Sequence, residues 1–330
     1  MTEDHRSHQF RDSIEDAAAV RRIPDTPQTR APAYRLAFTD RDFMLRDELR
    51  PVRLQLELLK PQMIMDERGI TSTVVMFGGV CIPAPEHRDT ARTQTLADLS
   101  HYYDEARRFA RLMTERSVAT YGRDWVVATG GGPGVMEAGN RGADEAGGQS
   151  IGLNIVLPHE QAPNAYVTPD LSFNFHYFAI RKMHFLMRAR AIVVFPGGFG
   201  TMDELFESLT LIQTQRMRPV PFLLFGRDWW ERVVNWPHLA EAGVISPEDL
   251  SLFTMVGWAI CPSYLATGSP ASIPCNQSLP SRTPPRIRNP GSCTSGWASA
   301  QSRKRSLVTI LAPNSRAVCS RNGSAGRGPP

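Results

Sequence analysis

After Asp249 this 330-residue chain contains no aspartate or glutamate at all. Those last 81 residues carry nine Lys/Arg, so the overall net charge of +4 hides an uneven split. Residues 1–249 hold 28 basic and 33 acidic side chains, a net of −5. A mildly acidic body argues against a general nucleic-acid binder. Lysine is scarce: Lys60, Lys182 and Lys304 stand against 34 arginines. Cysteine is scarcer still in the body, with Cys81 alone, while Cys261, Cys275, Cys293 and Cys319 lie in the tail. Their spacing fits neither a zinc pattern nor a compact disulfide framework, so no metal is expected. No run approaches the roughly 18 apolar residues of a membrane span. The opening MTEDHRSHQFRDSIEDAAAVRR lacks the apolar core of a secretory leader, which leads us to expect a cytoplasmic protein without membrane contact.

What is present is a body with a regular pattern. Hydrophobic residues make up 42% of the chain. Residues 1–37 show no sustained periodicity and are expected to be disordered. Helical spacing runs from Asp40 to Glu67, with breaks expected near Pro51 and Pro61. Short apolar runs then alternate with helical patterns. Thr71–Phe77, Trp125–Thr129, Ser150–Leu157, Ala191–Phe195 and Val220–Phe225 read as strands. Leu96–Ser117, Val135–Ala146, Phe178–Arg190, Thr201–Gln213 and Trp229–Asn235 read as helices. Such alternation predicts an α/β fold, a Rossmann-like doubly wound parallel sheet with helices on both faces. We place the catalytic domain at 38–256. The stretch 257–330 is rich in Ser, Pro and Arg. It reads either as a disordered basic tail or as an out-of-frame translation.

Three strands end in glycine-rich turns: FGG, TGGGPG and FPGGFG. In parallel sheets ligands bind beyond the carboxyl ends of the strands. A strand end, a glycine turn and a helix start expose several N–H groups at the positive end of the helix dipole, which suits a phosphate. In PGGFGT, Gly197, Gly198 and Gly200 let backbone approach an anion, and Thr201 offers its hydroxyl. An ordinary tight turn with a Thr cap gives the same pattern. A second loop, with Gly131, Gly132 and Gly134, points to one ligand held between two strands. Neither loop has the spacing of a dinucleotide fingerprint.

The stretches GGGPGVMEAGNRGA, Arg181-Lys182 and PGGFGTMDE together resemble the LONELY GUY (LOG) family. The family pairs PGGxGTxxE with an arginine fifteen residues before its proline, the separation of Arg181 from Pro196. The likeness spans about 38–255, and GLNIVLPHEQ and FNFHYFAIRK resemble the longer bacterial branch. FGGVCIP stands where the family usually has FGSAR, and PNAY where it has NPY. The resemblance implies hydrolysis of the N-glycosidic bond of nucleoside 5′-monophosphates, AMP or cytokinin riboside monophosphates, without a cofactor. It implies a homodimer or larger homo-oligomer with the site near a dimer interface, and Glu204 and Arg181 catalytic. Glu204 would stabilise the sugar cation or activate water, and Arg181 would hold phosphate or steady the leaving base. Lys182, Glu137 and Asp203 are second-rank candidates; His176 and Arg190 are read as packed or solvated.

Two other readings compete. Lysine decarboxylation needs a Schiff-base lysine, and the body offers only Lys60 and Lys182. A nucleotide or pterin-type cofactor carrier of the same fold would have no need of the Arg181/Glu204 pair.

Overall fold

The computed structural model describes residues 12–158 and 162–257. The tail assignment, and the first eleven residues of the expected disordered segment, lie outside the described residues. From Asp12 onward that segment forms two short helices, α1 (Ser13–Ala19) and α2 (Pro27–Arg30), neither with a buried residue. Local capping makes them: the Asp12 carboxylate accepts the Ile14 N–H, and Thr26 and Thr29 form a capping box.

The next elements are α3 (Arg41–Met44) and α4 (Arg50–Glu67). The prolines do not act as expected. Pro51 lies in the first turn of α4, where its missing N–H has no helical acceptor to lose, and Pro61 sits inside α4 without ending it. After these come β1 (Thr73–Phe77), α5 (Gln94–Asp98), α6 (His101–Val118), β2 (Val126–Thr129), α7 (Val135–Glu145) and β3 (Ser150–Ile155). β4 (Ser172–Phe175), α8 (Phe178–Met187), β5 (Ala189–Val194), α9 (Phe199–Gln213), β6 (Phe222–Phe225), α10 (Arg227–Val233), α11 (Trp236–Glu241) and β7 (Thr254–Val256) complete the order.

The seven strands form one sheet in the order β4-β3-β2-β1-β5-β6-β7. All six pairings are parallel. Successive strands build outward from β1 to β4, and the chain then returns to place β5 on the other side of β1. The order therefore reverses at the β1/β5 pair, where an α/β sheet leaves a crevice at its carboxyl edge.

Both faces of the sheet are covered. In β1, Val74 and Met76 pack into one core with Tyr103, Phe109 and Met113 of α6, while Val75 and Phe77 enter the other with Phe185, Leu205 and Trp230. Burial on both faces explains why β1, β2 and β6 read as unbroken apolar runs. Helices α6 and α7 approach closely because Gly142 has no Cβ; one would run into the Arg107 carbonyl.

Candidate functional site

At the β1/β5 crevice lies a cavity of about 260 Å³. Its wall takes Phe77 and Gly78 from the end of β1, Gly130 and Met136 from the β2–α7 turn, and Phe178, Arg181 and Phe185 from α8. The first turns of α9 contribute Gly200, Thr201, Asp203 and Glu204. The first N–H groups of a helix lack intrahelical acceptors, so α9 opens its positive end toward this space.

Glu204 is 8% exposed, a carboxylate set among apolar side chains. Burial pushes its pKa up to about 7; Arg181 and Lys182 oppose that rise, and Asp203 and Glu207 add to it. Arg181 is fixed by its Nε–H, which donates to the Leu153 carbonyl at 2.7 Å, and by the Phe185 ring, 5.2 Å from the guanidinium carbon. Lys182 Nζ lies 2.8 Å from Asp203 and 2.6 Å from Glu207. Burial works against its charge, yet the two carboxylates outweigh that and leave its pKa raised.

Glu204, Arg181, Gly200, Thr201 and Asp203 thus meet in one cavity, as their motif spacing suggests. Gly197 does not line the cavity; the Thr201 hydroxyl packs against it, in the space a Cβ would need. Gly198 and Gly200 face open space, with no atom within 4 Å of an added Cβ. The second glycine loop behaves differently from the expectation. It offers Gly130 to the cavity, while Gly131, Gly132 and Gly134 are buried behind that wall. The Gly131 N–H is already given to Thr129 Oγ1 at 3.0 Å, so it is not available to an anion. Glu137 accepts the Tyr103 hydroxyl at 2.7 Å and does not line the cavity. His176 packs edge-on against Tyr177, and Arg190 lies over Trp125.

The FGG turn, where the family pattern is broken, turns out to join the other two. Gly79 N–H donates to the Pro196 carbonyl at 2.9 Å, and the Gly79 carbonyl accepts the Val135 N–H at 3.2 Å. Gly134, at φ +70°, fits because a Cβ there would strike the Gly79 and Val80 carbonyls. The motif reading missed Gly79, Glu207 and the aromatic wall. The wall was visible only as apolar positions of strands and helices, which look the same whether they face core or cavity.

Fold and site together define the class: a doubly wound parallel α/β protein with a buried carboxylate, an arginine and an open helix N-terminus at its switch point. Residues 136–259 match the model of the family described as "Possible lysine decarboxylase", a match that supports the family resemblance. No curated protein matches the chain. Among solved structures, the chain is similar to the molybdenum cofactor binding protein of Rippkaea orientalis, with 18% identity and a TM-score of 0.38 over 57% of this chain and 91% of that one. The molybdenum cofactor carrier protein of Chlamydomonas reinhardtii is also similar, with 18% identity and a TM-score of 0.36 over the same shares.

Proposed function

We propose that the protein hydrolyses the N-glycosidic bond of nucleoside 5′-monophosphates, releasing free base and ribose 5-phosphate. The observation that carries this reading is Glu204, buried in the cavity beside Arg181 and one turn beyond the start of α9. The α9 N-terminus, with Gly198, Gly200 and Thr201, holds the 5′-phosphate. Glu204, three residues on, faces the ribose. Phe77, Ile155, Phe178 and Phe185 enclose the base.

As the C1′–N bond lengthens, its electron pair leaves with the base and positive charge builds on the sugar. Ionised Glu204 stabilises that charge and takes a proton from the attacking water. The water oxygen bonds to C1′, and the proton passes to the departing nitrogen. Arg181 steadies the base or the phosphate.

Decarboxylation fits the residues poorly. A Schiff-base lysine needs its charge destabilised, whereas Lys182 is held between two carboxylates and Lys60 is exposed on α4. Neither lines the cavity.

Incubation with AMP, followed by chromatography for adenine, tests the reading directly. Adenosine, lacking the phosphate, is expected to be a far poorer substrate, because each charge-assisted contact contributes about 1.5–3 kcal/mol. Equal efficiency on the two would reject the phosphate cradle. AMP binding without release of adenine would favour a carrier.

A further inference from the structure

We propose that Asn164, which belongs to neither glycine motif, is the positioning residue that sets Arg181 in the cavity by clamping the turn after β2. The inference rests on the reading of Arg181 as a working residue. Asn164 lies between β3 and β4, and both its side chain and its backbone bond to the turn. Its Nδ2 lies 3.0 Å from both the Gly131 and the Gly132 carbonyl, and 2.9 Å from Asn140 Oδ1. Its backbone N–H donates to the Gly131 carbonyl at 2.8 Å. Its Oδ1 accepts the Tyr166 N–H at 3.1 Å, which fixes the amide with its donor side toward the turn.

The far side of the clamp is buried and closed. Asn140, fully buried on α7, accepts the Thr129 hydroxyl at 2.7 Å and donates to Ser150 Oγ at 3.0 Å. Thr129 in turn holds the Gly131 N–H. Gly131 therefore has both its N–H and its carbonyl committed. Asn154 fills the space where a Cβ at Gly131 would be, so the turn is wedged between two asparagines.

The consequence falls on the next residue back. Gly130 lies directly against the Arg181 guanidinium, close enough that an added Cβ would sit 2.5 Å from Nη2. The turn is the floor on which Arg181 rests. Let the turn move by about 1 Å and the guanidinium moves with it, a displacement that can cost about 10²-fold in rate.

The test is the pH profile of AMP hydrolysis by Asn164→Ala beside wild type. The charged groups facing Glu204 are Arg181 and Lys182 from α8 and Asp203 and Glu207 from α9. Arg181 favours the ionised form of Glu204, so a displaced Arg181 raises the acidic limb of kcat/KM by about one pH unit. We expect that shift, with kcat reduced about 10²-fold and KM changed much less. A residue that only stabilised the fold would leave the limb in place. Should Asn164→Ala not fold, Asn164→Asp keeps the shape and the acceptor for Tyr166, and sets a carboxylate against two carbonyls; it is expected to give the same shift. An unmoved limb with kcat within a few-fold of wild type overturns the proposal. If wild type releases no adenine, the functional reading fails by itself, and Asn164 is judged by calorimetry with AMP. Binding weakened tenfold or more in the variant then supports the clamp, and equal or undetectable binding in both proteins overturns it.

Discussion

Glu204 sits where little water remains, and its acidity follows from that. With its pKa pushed up to about 7, it changes charge near neutral pH. In the proposed reaction the ionised form does the chemistry, so kcat/KM is expected to fall as pH drops through about 7. Glu204→Gln should bind AMP, lose about 10²-fold or more in turnover and show no such limb. A flat wild-type profile between pH 6 and 8 would argue against this role. Stability gives a second, activity-free reading. The folded-state pKa lies above the unfolded one, so the folded protein holds a proton between about pH 4.5 and 7 that the unfolded chain has lost. The stabilisation is complete below the unfolded pKa and disappears as pH rises through the folded one, an effect of about 3 kcal/mol. Glu204→Gln should therefore flatten the decline of melting temperature from pH 5 to 8. An unchanged slope would show that Glu204 titrates normally.

At the level of elements, the glycine turns separate into those that shape the fold and those that leave room. Gly134 has φ +70° and neighbouring carbonyls in the place of a Cβ. Gly134→Ala should destabilise by about 2 kcal/mol or more. Gly200 lies in the first turn of α9 with nothing within 4 Å of an added Cβ. Gly200→Ala should leave stability within about 0.5 kcal/mol, or raise it slightly, yet weaken AMP binding by crowding the cavity. Thermal melts and AMP titration of both variants check the contrast; unchanged AMP affinity in Gly200→Ala would remove the α9 N-terminus from the site. The same distinction explains what was legible in the sequence. β1, β2 and β6 lie inside the sheet and show as apolar runs. β4 and β7 are its edges, and both escaped. β4 is only SFNF, with Asn174 exposed, and β7 only TMV, so neither carries the run that marks a buried strand. Glu204 and Arg181 were legible because side-chain chemistry repeats at fixed spacing. The work of Gly79 and Asn164 was not, because it consists of hydrogen bonds to the backbone of distant turns, for which a single sequence has no local signature.

At the scale of the whole molecule, the described surface exposes large apolar side chains on two neighbouring helices. Among the described residues no helix is long and apolar enough to cross a membrane, yet α4 exposes a stripe of large apolar side chains. Val52, Leu56, Leu59 and Met63 are 38%, 49%, 39% and 55% exposed. Their spacing places them on one face of the helix. Helix α8 lies against α4, tied through Glu57, whose carboxylate accepts the His176 and Tyr177 N–H groups. It adds exposed Phe178, Met183 and Met187. Exposed apolar side chains on two packed helices call for a cover, and a second copy of the chain is the cover we propose. Because α8 also carries Arg181 and Phe178 of the cavity wall, pairing through this surface would bring the partner to the rim of the site and help exclude water. Light scattering of the purified protein should give twice the chain mass. Leu56→Asp with Met63→Asp places two charges in the stripe at positions with little core burial, so the fold should persist while the mass halves and AMP turnover falls. A monomeric wild type, or a double variant that stays dimeric, would rule out this face as the interface.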